Sequence, residues 1–377
     1  MYAGRAFPRR DGPGMTAALA ASLRHASSMT ADTRHATPVD GRPARAEAAV
    51  FLVDADRGSY AQAAELYAAA FREAGIAIEL RRYPAAPPRD LSGRWVLHHT
   101  IGPLYRHVEG AANTAVVFHE WSRYPVLWTD TLNRFESIWA PSRHVEETLS
   151  ASGVSAPIHY VPPPLSFDGT PARRSWEARA PFRFLAVGEP HFRKGFHLLL
   201  DGYLRAFPRI GLAALTLKVS AACDWRSPRA DITLVRERLS RDALATLYDT
   251  HDALVSASLG EGLGLPVAEA VATKLPVVTN LWGGHRDIVS KCGCWEIAHE
   301  EVPQLFCSTP DYFADGQRCA YSAPDRIASA LLAFVNATPA EREARATRAW
   351  TALREQHGLA AAAAAIRQHA FPAAVAG

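Results

Sequence analysis

Two glutamates with seven residues between them, Glu261 and Glu269, stand where a glycine-bearing loop turns into a helix. A helix amino terminus presents unpaired N–H groups and favours anions, so such a loop suits a phosphate-bearing ligand. Two carboxylates beside an anion site then need a reason of their own, and binding hydroxyl groups is one. A nucleotide-sugar supplies hydroxyls on both sides of its diphosphate. The plainer alternative is that Glu269 complements the helix dipole, worth ~0.3–1 kcal/mol, and that Glu261 is a solvated loop residue.

The elements that must position these carboxylates are legible around them. Ala253–Ala257 is an apolar run short enough for a buried strand. Gly260, Gly262 and Gly264 clear the following turn so that backbone can approach a ligand closely, and Pro266 fits the start of a helix. The helix is expected over Pro266–Thr273. Leu275-Pro276 stops it, Pro276–Thr279 reads as the next strand, and Gly283-Gly284 opens a second turn. In an open parallel sheet a unit of this kind holds its ligand beyond the carboxyl ends of the strands.

The stretch Glu261–Ala270 resembles the E-x(7)-E signature of retaining nucleotide-sugar glycosyltransferases of the GT-B class, family 4-like, and Gly283–Asp287 resembles the Gly-Gly-x-x-acid turn that follows it. The resemblance runs from about Val50 to Leu332 and is strongest in the second half. It implies an α/β fold of GT-B architecture, two Rossmann-like doubly wound domains facing a central cleft. It further implies sugar transfer from a nucleotide-diphosphate donor with retention, without metal and without a cofactor, to an acceptor that could be a glycan, a lipid or a small molecule. Glu261 would sit at the transferred sugar and Glu269 at the ribose hydroxyls. Gly262, Leu263, Gly264 and Leu265 would line the donor.

Phe182–Gly188 reads as a strand and Phe196–Leu204 as the helix after it. Between them Glu189–Gly195 resembles the family's Gly-Arg-(four residues)-Lys-Gly loop, in which both cations hold the diphosphate. Gly188, Lys194 and Gly195 match; Glu189 stands where Arg is expected. Arg193 or Arg286 is then the candidate for the missing charge. A chain that binds sugar nucleotides with weak or no transferase activity is the alternative this departure raises, and an epimerase or phosphorylase on the same fold is a third.

Earlier in the chain, strands are expected at Ala48–Val53, Ile76–Leu80, Trp95–Thr100 and Thr114–Phe118, with a helix over Tyr60–Glu73. By resemblance His119, just past a strand, points at the donor sugar, with His99 as a lesser candidate, and Gly58, Ser59 and Tyr60 face the acceptor. Asp54-Ala55-Asp56 has the Asp-x-Asp form that holds a cation in metal-dependent GT-A transferases, but it ends the first strand rather than lying deep in a nucleotide-binding domain, so no metal is expected. Ser142 and Ser240 are expected N-caps. The turn Arg236–Leu239 would lie near the nucleobase.

A chain of 377 residues exceeds what one core usually fills. The expected division is a disordered tail at 1–45, an acceptor-side domain at 46–165, a linker at 166–181, a nucleotide-sugar domain at 182–340 and a carboxyl-terminal helix at 341–377 that packs back on the first domain. The tail's arginines and few acids also fit a transit peptide, and Met15 or Met29 a later start. A net charge of +3 with no basic patch or motif gives no argument for nucleic acid. Only Lys194, Lys218, Lys274 and Lys291 are lysines, so arginine abundance reflects coding bias more than chemistry. Five unpatterned cysteines read as reduced thiols in a cytoplasmic protein, and no run is apolar enough to span a membrane.

Overall fold

Val50, Phe51 and Leu52 are wholly buried, as are the central residues of most strands here, because parallel sheets are covered on both faces and read as near-continuous apolar runs. In this computed structural model the described residues are 48–54, 58–164, 175–177, 180–304 and 314–370. The expected tail at 1–45, most of the linker at 166–181, Asp56 and Cys307 lie outside them.

The first sheet contains β1 (Ala49–Val53), β2 (Ile78–Arg82), β3 (Trp95–His99), β4 (Ala112–Val116), β5 (Ser137–Ala140) and β6 (Ile158–Tyr160), in the order β2-β1-β3-β4-β5-β6. Its helices are α1 (Gly58–Ala74), α2 (Val126–Leu132) and α3 (Arg143–Ala151). All pairings are parallel. The core places Phe51, Tyr67, Phe71, Trp95 and Trp139 together, with Phe71 stacked on Trp139.

The second sheet contains β7 (Phe182–Val187), β8 (Ala213–Lys218), β9 (Ile232–Val235), β10 (Ala253–Ser256), β11 (Val277–Thr279) and β12 (Trp295–Glu296), in the order β12-β11-β10-β7-β8-β9. Its helices are α4 (Phe196–Ala206), α5 (Arg241–Asp249), α6 (Leu265–Ala272) and the short α7 (His285–Ile288). The order matters for function. The chain leaves β7 toward β8 and later returns to lay β10 on the other side of β7, so the loops after β7 and β10 diverge from one crevice. A crevice of that kind is where open α/β sheets hold ligands.

A hairpin, β13 (Glu300–Pro303) and β14 (Arg318–Tyr321), then braces the loop after β10 through a bond from the Ala320 N–H to the Leu259 carbonyl, 2.9 Å. Three helices end the fold: α8 (Pro324–Asn336), α9 (Pro339–His357) and α10 (Leu359–His369). The single helix expected beyond Pro339 is broken at Gly358, whose extended backbone (φ −66°, ψ 157°) starts a new axis. The new axis turns α10 onto α1, where Ala362 and Ile366 enter the first core.

Strand β4 ends at Val116, two residues before the expected Phe118, and the short helix α2 and the hairpin have no periodic signature that announces them. Ser142 and Ser240 do cap α3 and α5, accepting from the N–H groups of Val145 and Ala243.

Candidate functional site

The loop after β7 carries a single turn, Phe192–Lys194, that ends in Gly195 at φ 65°. A Cβ on Gly195 would fall 2.0 Å from the Ala257 carbonyl oxygen, so this loop and the loop after β10 meet backbone to backbone. The Leu259 N–H donates to the Arg193 carbonyl at 2.7 Å, and Ser258 Oγ, with one proton to give, lies 3.0 Å from that carbonyl and 2.9 Å from Glu261 Oε1.

Those contacts bring three charges together. Lys194 Nζ lies 2.5 Å from Glu261 Oε1 and the Arg193 guanidinium 3.1 Å from Oε2. Burial alone would raise the Glu261 carboxyl, but Lys194 and Arg193 outweigh it and hold the group well below the usual carboxylate range. Glu261 is therefore ionised and, at 7% exposure, almost out of solvent. Arg193 also donates to the Gly260 carbonyl at 2.7 Å and pairs with Glu120 of the first domain at 3.4 Å.

Glu189, the residue that departs from the family pattern, is exposed at the start of the same loop. Arg286 does not supply a replacement charge. It is exposed and pairs with Glu147 on α3, which corrects its candidacy and leaves Arg193 as the second cation beside Lys194.

Glu269 lies in α6, whose amino terminus at Gly264 has no side-chain cap. The carboxylate is buried and accepts from Tyr248 Oη at 2.7 Å and from Gln62 Nε2 at 2.8 Å. Among the described residues it has no ion pair, and burial raises its carboxyl above the ordinary value. Glu261 and Glu269 thus occupy opposite electrostatic settings, one held charged by cations and one held by neutral donors.

The first domain closes on this machinery from its strand ends. Gly262 packs against His119 so closely that a Cβ would stand 2.9 Å from the His119 carbonyl oxygen. The His119 ring is buried, and its Nε2 meets the Arg123 carbonyl at 2.6 Å, so Nε2 is the donor and Nδ1 carries the lone pair. Burial lowers its pKa, which keeps the ring neutral. Ser142 Oγ donates to the Gly262 carbonyl, and Asp287 accepts from the Arg143 N–H at 2.8 Å, an acid of one domain at the amino terminus of a helix in the other.

Of the residues expected to face the acceptor, Ser59 is exposed, whereas Tyr60 is buried with its ring 4.3 Å from that of His99. Gly58 begins α1. His99 itself is buried and bonded to the Val116 carbonyl, which makes it a core residue. Leu263 is buried and Leu265 half-buried. Gly188 carries the Lys194 stem, whose Cδ would lie 3.4 Å from a Cβ at that position.

Gln62, Glu120, Tyr248 and Ser258 complete the site without having been anticipated. Ser258 is three residues from Glu261, and a hydroxyl that close to an acidic loop residue was a usable signal. The other three reach the site only through the fold.

Residues 181–307 match the family model described as Glycosyl transferases group 1. No curated protein matches the chain by sequence. Among solved structures the chain is similar to a point mutant of S. aureus TarM in complex with fondaparinux, alpha-GlcNAc-glycerol and UDP, at 12% identity and a TM-score of 0.52 over 72% of this chain and 55% of that one. It is similar to the pneumococcal O-GlcNAc transferase GtfA in complex with UDP and GlcNAc, at 15% identity and a TM-score of 0.50 over 74% and 57%. A trehalose-6-phosphate synthase gives 10% identity and a TM-score of 0.50 over 68% of both chains. The chain thus spans just over half the length of the first two structures. At these identities the likeness shows the fold, which is GT-B.

Proposed function

We propose that this chain, a group 1 glycosyltransferase of GT-B architecture, moves a sugar from a nucleotide-diphosphate donor to an acceptor with retention of configuration. The observation that carries the reading is the meeting of Lys194, Arg193 and Glu261 where the loops after β7 and β10 diverge. Two cations and an ionised carboxylate in a water-poor crevice suit a ligand with both negative charge and hydroxyls.

The second domain binds the donor and the first supplies the acceptor side. Lys194 and Arg193 exchange Glu261 for the diphosphate. When the bond from the sugar's anomeric carbon to the diphosphate breaks, the electron pair leaves on phosphate oxygen, and these cations stabilise that charge. Glu261, released, accepts from hydroxyls of the transferred sugar, and Glu269 accepts from the ribose. His119, neutral and locked against Arg123, presents its remaining ring edge and its backbone to the donor sugar. No residue of the set calls for a metal ion.

Exposure of Glu189 supports an enzyme over a protein that only binds sugar nucleotides, since the carboxylate does not crowd the cations. The TarM and GtfA structures are both complexes with UDP, so uridine-diphosphate sugars are the first donors to try. Among the described residues no helix is long and apolar enough to cross a membrane.

A panel of nucleotide-sugars screened for thermal protection tests the reading, followed by a transfer or hydrolysis assay with whichever protects. Saturation at a hundred times the dissociation constant adds about 2.7 kcal/mol, well within detection. A protein that no nucleotide-sugar protects would remove the basis for the proposal.

A further inference from the structure

Glu269 Oε1 is occupied from across the cleft. The donor is Gln62 Nε2 at 2.8 Å, on the first turns of α1 in the first domain and 207 residues away in sequence. The other oxygen is held from within the second domain by the buried hydroxyl of Tyr248. Glu269 is 4% exposed, so a ligand hydroxyl reaches this carboxylate only where Gln62 now stands. A buried carboxylate must be given donors, and an amide N–H is a neutral donor, as a sugar hydroxyl is.

We propose that Gln62 is a stand-in for the nucleotide's ribose, a positioning residue that satisfies Glu269 while the site is empty and must be exchanged for a ribose hydroxyl when the donor enters. The inference rests on the reading of Glu269 as the ribose residue. Because the amide and the carboxylate belong to different domains, the exchange ties entry of the nucleotide to release of one bond across the cleft. The Gln62–Glu269 bond lies at the point where the nucleotide's sugar would sit. Affinity is reduced by the fraction of molecules in which Gln62 has withdrawn, which is the usual cost of binding to a minor state.

The test is calorimetric titration of the full chain with uridine diphosphate. Gln62→Ala, and Gln62→Asn, whose amide is one methylene short, are expected to bind about ten- to a hundredfold more tightly than wild type, the range for removing one competing bond to a charged group. Melting curves check that each variant is folded. In a Glu269→Ala background Gln62→Ala should lose that gain, because the proposed competition runs through that carboxylate. Equal or weaker binding by both Gln62 variants, with Glu269→Ala still weakening the nucleotide, overturns the stand-in and leaves the ribose assignment standing. Undiminished binding by Glu269→Ala alone overturns the ribose assignment itself.

Discussion

Lys194 Nζ and Glu261 Oε1 lie 2.5 Å apart in a crevice formed by two loops of one sheet, so each is the other's counter-ion before any ligand arrives. Under the proposed reading the donor breaks this pair to bind, and the pair is restored when the products leave.

Lys194→Ala should lower turnover about a hundredfold, on the order of 3 kcal/mol, as for loss of one preorganised donor to developing charge. It should also lower stability, because it strips a buried carboxylate of one of two cations. Paired measurements of kcat/KM and urea midpoint check both. Wild-type turnover in a folded variant would remove Lys194 from the chemistry.

Glu261→Gln should behave differently. Turnover falls, while free nucleotide binds at least as tightly as to wild type, because Lys194 and Arg193 no longer have an anion to give up. Titration with the nucleotide and an initial-rate assay separate the two quantities, and collapse of nucleotide binding in a folded variant would mean the role of Glu261 is misassigned.

Glu189→Ala should leave turnover within a few fold. The side chain is exposed and reaches neither Lys194 nor Arg193. A marked rise in donor affinity would show that the carboxylate faces the phosphates after all.

Gly195→Ala should be severely destabilising, by at least about 3 kcal/mol, since the left-handed backbone and the approach to the Ala257 carbonyl both exclude a Cβ. A melting temperature within a few degrees of wild type would contradict the packing of the two loops.

Acid should unfold the protein through its histidines. Burial lowers His98 and His144 to about 3, and His99, His285 and His357 to about 4, against an ordinary 6.5. Below that ordinary value the unfolded chain takes up protons that the folded one refuses, so stability falls as pH drops from about 6.5 toward 4. Each histidine contributes up to about 1.4 kcal/mol per pH unit over that window. Glu269 and Asp287, raised by burial, pull the other way but are two groups against five. Urea midpoints at pH 7.5 and 5.5 check the sign; equal midpoints would contradict it.

What could be seen in the sequence was whatever a short segment decides for itself. The strand, loop and helix around Glu261, the serine caps at Ser142 and Ser240, and the loop ending in Lys194-Gly195 all depend on neighbours within ten residues. Gln62 could not be seen, because nothing in α1 marks one polar residue among alanines as reaching a carboxylate in another domain. The same holds for Asp287 at the amino terminus of α3 and for Arg286, whose partner Glu147 is on that helix. Helix α2 has only seven residues, too few for periodicity to show. Glu189 was the opposite case, since its type signalled trouble and its exposure removes it.

The position of α10 has a consequence for how the protein is made. Ala362 and Ile366 belong to the core that holds Phe51, Tyr67 and Phe71, so the core of the first sheet lacks a wall until α10 has emerged. At ~5–20 residues per second, the roughly 200 residues between the first sheet and α10 take on the order of 10–40 s to appear. Through that interval the side of the first core that α10 closes stays open on the ribosome, and the second sheet, whose last core residues lie in α8 and α9, is free to fold ahead of it. The order of synthesis and the order of completion are reversed.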